Sequence, residues 1–204
     1  MKVLFLSSLF LFVFPLVLRA EFNYTKCPAA WELQSQTVKQ SFSLKKFVGT
    51  YYELAFHDLT QFPVCPIPKC VTSQKVMDYH LNQINDTFTL NCFGLTFPVH
   101  LRFELTEVPG HFLGHWLPLT VPDTVVEVKE NTEGVYEWVI EFQCLEKLDR
   151  VVFSGINWYS RLNNVTDEYV NQLLQVARAR GLGVYMDKGL KVYHVDQKHC
   201  KYRL

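Results

Sequence analysis

Between Phe47 and Tyr159 the chain breaks into short runs rich in β-branched and aromatic residues, separated by Gly, Pro, Asn and Asp. That spacing is typical of strands in an all-β sandwich or barrel. Three runs alternate clearly. Over residues 99–108, Leu101, Phe103 and Leu105 share one face, while His100, Arg102, Glu104 and Thr106 share the other. Over 135–144, Tyr136, Trp138, Ile140 and Phe142 oppose Glu137, Val139, Glu141 and Gln143. Over 86–92, Phe88, Leu90 and Cys92 oppose Thr87, Thr89 and Asn91. Each run has one apolar and one wet face, as in antiparallel sheets covered on a single side. The pattern predicts strands over 48–58, 70–80, 86–95, 98–107, 111–117, 123–129, 135–144 and 150–159. Eight consecutive strands with short connections favour an antiparallel up-and-down arrangement.

The period changes after the eighth strand. Residues 167–180 place Val170, Leu173, Leu174 and Ala177 at i, i+3, i+4 and i+7, the stripe of an amphipathic helix. Thr166 or Asn164 can cap its start, Asp167 and Glu168 suit the positive end of its dipole, Arg178 and Arg180 suit the negative end, and Gly181 stops it. One greasy stripe needs one apolar surface, and the first strand offers it. Tyr52, Leu54 and Phe56 are expected under the helix, with Tyr51, Glu53, Ala55 and His57 facing inward. A short ninth strand is expected at 190–195.

Residues 1–20 have a basic start at Lys2, an apolar run from Val3 to Leu18 and a small residue at Ala20, the make-up of a secretory signal peptide. The expectation is a signal peptide over 1–20 and a single domain over 21–204. Removing it leaves 184 of the 204 residues, enough for one sizeable core. It also removes Lys2 and Arg19 from 20 basic residues, leaving 18 against 20 acidic ones and a net charge of about minus two. Without a Lys/Arg cluster to neutralise phosphates, no nucleic-acid partner is expected, and no second apolar run suggests a transmembrane anchor. The six cysteines, Cys27, Cys65, Cys70, Cys92, Cys144 and Cys200, suit three disulfides in an oxidising compartment better than a metal site, because none are spaced as Cys-x2-Cys. Their connectivity is open to fifteen pairings. Three N-glycosylation sequons, at Asn23, Asn85 and Asn164, agree with secretion and fall where a loop or terminus is expected.

The stretch "GTYYEL" supplies Gly49, Tyr52 and Glu53, and "NWYSRLNNVTDEYV" supplies Arg161 between the eighth strand and the helix. These residues resemble the lipocalin family, most closely its apolipoprotein D-like branch. The likeness runs from Lys26-Cys27-Pro28 to Cys200. Two departures mark a divergent member: Tyr51 stands where the family's Gly-x-Trp motif has Trp, and the middle Thr-Asp-Tyr motif is not recognisable near Glu133 to Tyr136. The resemblance implies an eight-stranded antiparallel calyx, with one C-terminal α-helix packed outside and a short ninth strand. It implies the bridges Cys27–Cys144 and Cys70–Cys200, which leaves Cys65 with Cys92.

The resemblance further implies a secreted carrier holding a small hydrophobic ligand in the barrel, of the lipid, retinoid, steroid, fatty-acid or pigment class. Such a protein needs no cofactor and no metal. The candidate lining residues are Phe88, Leu90, Leu101, Phe103, Leu105, Trp116, Trp138, Ile140 and Phe142, any of which could equally be plain core packing. Glu53 and His57 are the candidate polar groups in or near the cavity. Gly49, Tyr51 and Arg161 are expected to build the barrel's closed end. No catalytic residue is assigned. A lipocalin-fold enzyme acting on a lipid or isoprenoid is the alternative, and a thiol mechanism there needs a reactive thiolate that six paired cysteines would not leave. Gly-x-Ser-x-Gly is absent, and His111 and His115 lack the Glu of a zinc-protease helix, so they read as strand-surface or rim residues. The Pro-rich loop Gln61 to Cys70 is either a lid over the mouth or the epitope of a protein-interaction module. No receptor is named by any motif in the chain.

Overall fold

The computed structural model describes residues 26–61, 65–116 and 119–202. The expected signal peptide and Asn23 lie outside these residues. Eight strands close into one antiparallel barrel: β1 (Gly49–Asp58), β2 (Lys69–Asp78), β3 (Gln83–Cys92), β4 (Leu95–Leu105), β5 (His111–Trp116), β6 (Leu119–Glu130), β7 (Tyr136–Lys147) and β8 (Arg150–Ser160). Each pairs with the next, and β1 closes the ring by pairing with both β8 and β2. β9 (Tyr193–His194), shorter than expected, pairs with Ala55 and Phe56 where β1 has left β2.

Among the described residues three short helices precede the barrel and were not legible in the apolar periodicity: α1 (Ala30–Leu33), α2 (Gln36–Ser41) and α3 (Leu44–Phe47). Each is too short to show a stripe, and α2 is recognisable mainly by its cap, where the Ser35 hydroxyl accepts from the Val38 amide at 3.2 Å. Together they lay Phe42 and Phe47 across the closed end. There the Phe47 ring stacks on Phe112 at 5.5 Å and the Phe42 ring on Tyr136 at 5.7 Å.

Arg161 ties this end together. Its Nε donates to the Tyr136 carbonyl at 2.9 Å, Nη1 to Thr50 at 3.2 Å, and Nη2 to Lys46 at 3.2 Å and Val48 at 2.8 Å, all backbone oxygens. The guanidinium also lies over the Tyr51 ring, 4.3 Å from its centroid. Gly49 makes that geometry possible: its φ is +119°, and a Cβ there would stand 2.7 Å from Arg161 Nη1.

α4 (Asp167–Ala177) continues through one wider turn over Arg178–Leu182 and, after Gly181 at φ +86°, into α5 (Gly183–Met186). Gly181 therefore bends the helix rather than ending it. Val170, Leu173 and Ala177 pack on Leu54, Ile140, Phe142, Ile156 and Trp158, and Trp158 Nε1 donates to the Leu173 carbonyl at 3.3 Å. Three disulfides complete the scaffold: Cys27–Cys144, Cys70–Cys200 and Cys65–Cys92. These are the pairs the resemblance implies, and the first two fasten both chain ends to the barrel. Among the described residues no helix is long and apolar enough to cross a membrane.

Two facing assignments are corrected. On β7, Trp138, Ile140 and Phe142 point out of the barrel into the layer beneath the helix, and Phe142 meets Tyr185 of α5 at 4.8 Å. Its inward positions are Val139, Glu141 and Gln143. The apolar side of this strand is the helix-covered outside, because the barrel places a polar cluster at this depth. On β1, the pairing with β8 slips between Glu53 and Ala55. That bulge inverts the expected sides of everything beyond it. Ala55 joins the helix layer, Phe56 joins the barrel-side core and touches Tyr193 at 5.1 Å, and His57 turns outward, its Nε2 3.1 Å from the Lys188 carbonyl. Asn85 is also corrected: it is exposed, but lies in β3 rather than a loop. Asn164 is exposed between β8 and α4.

Candidate functional site

The barrel encloses a cavity of about 230 Å³. Strand direction sets its depth. β3 rises from Asp86 through Phe88 to Leu90, and β4 descends from Val99 through Leu101 to Phe103, so carbon side chains line one wall from rim to floor. Leu119 and Val121 of β6, Leu145 of β7 and Phe153 of β8 continue the wall around the mouth. Thr60 and Gln61, which open the Pro-rich loop, also line it, and Cys65 anchors that loop to the end of β3 through Cys92.

The floor differs in character. Asp86, Glu141, Gln143, Asn157 and Tyr159 line it. Beneath them the Lys75 ammonium lies 3.0 Å from Asp86 Oδ2 and 3.3 Å from Glu141 Oε1, with all three side chains no more than 4% exposed. The rings of Phe47, Phe103 and Tyr159 surround the same nitrogen at 5.4, 5.2 and 5.1 Å from their centroids. Burial acts most strongly on Lys75 and would strip its proton, but Asp86, Glu141 and Asp123 more than offset it and hold its pKa above the ordinary value. Burial likewise pushes the carboxyls of Asp123 and Glu141 up; Glu141 adds to the rise at Asp123, while Lys75 opposes it at Glu141.

A second polar group flanks the floor on the β1 side. Glu53 is fully buried, and its Oε1 accepts from Gln61 Nε2 and from Asn157 Nδ2, both at 2.9 Å. Burial pushes its carboxyl up to about 8 against those two hydrogen bonds.

Of the expected lining residues, Phe88, Leu90, Leu101 and Phe103 face the cavity. Leu105 does not; it packs below, against the core of the closed end. Trp138, Ile140 and Phe142 are on the outside, and His57 is turned away. Glu53 stands behind the wall and reaches the cavity through Gln61 and Asn157. Trp116 is in β5, but its side chain lies outside the described residues. Gly49, Tyr51 and Arg161 are at the closed end, away from the cavity. His115 is at the rim, where Nε2 lies 3.2 Å from Glu104 Oε2, and His111 Nδ1 lies 2.9 Å from Thr124 Oγ1. Among the described residues no cluster of His, Cys, Asp and Glu could hold a metal ion.

The floor residues escaped sequence reasoning, although alternation places them. Asp86 shares parity with Phe88 and Leu90, and Glu141 with Val139 and Gln143. Counting charged residues as outward hid both.

No protein-family model matches this chain. No curated protein matches it. Solved structures do. Lobster apocrustacyanin A1 superimposes with a TM-score of 0.57 at 15% identity, over 84% of this chain and 88% of that one. Apocrustacyanin C2 gives 0.60 at 15% identity, over 85% and 89%, and apocrustacyanin C1 gives 0.54 at 14% identity, over 84% and 88%. What these likenesses establish is the fold, a lipocalin-like barrel with one strand and a helix outside it.

Proposed function

We propose that this protein binds a small hydrophobic molecule in the barrel cavity and transports, stores or sequesters it outside cells. The observation that carries the reading is the cavity itself, about 230 Å³ with carbon-lined walls inside a closed eight-stranded barrel. A barrel of this strand number holds packed side chains or one small ligand, and here space remains above the floor. Each Å² of ligand carbon removed from water contributes about 25 cal/mol. The cavity's roughly 230 Å³ gives such a ligand a largely carbon-lined site.

The resemblance of "GTYYEL" and Arg161 to the apolipoprotein D-like branch supports the carrier role. The apolar leader, the three disulfides and the exposed sequons Asn85 and Asn164 support secretion as a glycoprotein. We further propose that the role is non-catalytic: every cysteine is bridged, so a thiolate mechanism has no thiol to use. One free thiol in the denatured, unreduced protein would reopen the enzymatic alternative.

Calorimetric titration with compact apolar compounds tests the binding role. The wild type is expected to bind at least one class, and Leu101→Trp, which narrows the cavity, to bind it more weakly. Failure of the wild type across the panel, or equal binding by the narrowed variant, would overturn it.

A further inference from the structure

Among the described residues the floor carries a surplus of buried hydrogen-bond acceptors that no donor meets. Asp86 Oδ2 takes the donors of Ser73 and Lys75, at 2.8 and 3.0 Å, while its buried Oδ1 has no partner. Glu141 Oε1 lies 3.3 Å from the Lys75 ammonium but out of line for a hydrogen bond. Gln61 and Asn157 turn their amide N–H groups to Glu53, leaving Gln61 Oε1 and Asn157 Oδ1 buried and unmatched. All four residues line the cavity. Buried polar atoms in folded proteins are almost always partnered, and each exception needs a reason.

Charge points the same way. Asp86 and Glu141 share one ammonium, and Asp123, bound by Gln143 Nε2 at 2.9 Å, adds a third buried carboxyl. Lys75, ion-paired with both carboxylates and enclosed by three rings, does not itself line the cavity, so an anionic ligand has no direct access to it. A fatty-acid head group entering here would meet Asp86 Oδ1 and Glu141 Oε1, acceptor against acceptor. What the floor lacks is a donor, and a positive one would balance the carboxylates.

We propose that the ligand is an apolar amine whose ammonium group donates to Asp86 and Glu141 at the floor while its carbon body fills the wall region beside Phe88, Leu90 and Leu101. This rests on the cavity being a ligand site, and it narrows the ligand to one class. An ammonium has three donors, enough for both carboxylates and one of the two amide oxygens. A straight chain of about eight carbons serves as the probe's body.

Octylamine, octanol and octanoic acid share such a body and differ in the head. Calorimetric titration of the full-length secreted protein at pH 7 is expected to rank octylamine first. Its lead over octanol should be about tenfold or more, the scale of one hydrogen bond to a charged group, with octanoic acid weakest. Asp86→Asn and Glu141→Gln should each shrink the lead of octylamine over octanol. Should either variant fail to fold, the wild-type ranking still decides. Octanol equal to octylamine would mean that ordered water satisfies the floor, and octanoic acid first would mean that Lys75 is the anchor. Either overturns the amine assignment while leaving the carrier reading intact. Binding of none of the three by the wild type would remove both.

Discussion

Replacing Arg161 by Ala tests the division of the barrel into a structural end and a binding end. The substitution removes four hydrogen bonds to backbone carbonyls, three in the 46–50 stretch and one at Tyr136, together with the cation held over Tyr51. A hydrogen bond from a charged group contributes about 1.5–3 kcal/mol net, and a cation over a ring about 0.5–1 kcal/mol. The hydrogen-bond values do not sum, because the site is only half buried and water can reach some of the vacated carbonyls. Two bonds' worth plus the ring contact gives a loss of about 4 kcal/mol. With a urea m-value of about 2 kcal/mol/M, the midpoint should fall by about 2 M with the slope unchanged. Arg161→Lys should recover less than half, since a point charge cannot serve carbonyls on three sides as the planar fork does. Ligand affinity should stay within about twofold, because the cavity floor separates Arg161 from the ligand. A loss below about 1 kcal/mol, or binding abolished in a folded variant, would refute the reasoning.

Three further outcomes follow from the same geometry. Glu53 binds a proton in the native state up to about 8, whereas its ordinary value is 4.5, so stability should fall as pH rises through that window. The gap corresponds to roughly 5 kcal/mol at most, and Glu53→Gln should flatten much of the slope in melting temperature between about pH 5 and about pH 8; an unchanged slope would show that Glu53 is ionised throughout. Phe142→Ala, beneath the helix, should cost about 3–5 kcal/mol with ligand affinity retained, while Phe88→Ala should change affinity; the reverse pattern in a binding assay would contradict the facing of β7. Removing the Cys70–Cys200 bridge by a double Ser substitution should cost about 2–4 kcal/mol in denaturant melts, and no change would mean that the C-terminal tail is held by its packing alone.

Strand order, the outer helix and the parity of β3 and β4 were legible because those elements follow a simple period. Phe88, Leu90, Leu101 and Phe103 face the cavity, and the alternation alone put them on one side. The inner face of β7 was not legible. A strand covered by a helix outside and facing a polar floor inside reverses the usual meaning of its apolar side, so Trp138, Ile140 and Phe142 read as lining. On β1 a single bulge after Glu53 did the same to His57. Bulges leave no periodic trace, since one extra residue changes every later parity. The buried carboxylates were hidden for a third reason: Asp86 and Glu141 become tolerable inside only when Lys75 of β2 is brought between them, and that contact exists only in the closed barrel.

Native mass spectrometry of the protein recovered from a secreting host, beside Leu101→Trp, tests the carrier account most directly. The account predicts a bound small apolar molecule on the wild type and a smaller bound share on the narrowed variant. A well-folded wild type that is consistently empty, or an adduct retained equally by the variant, would contradict it.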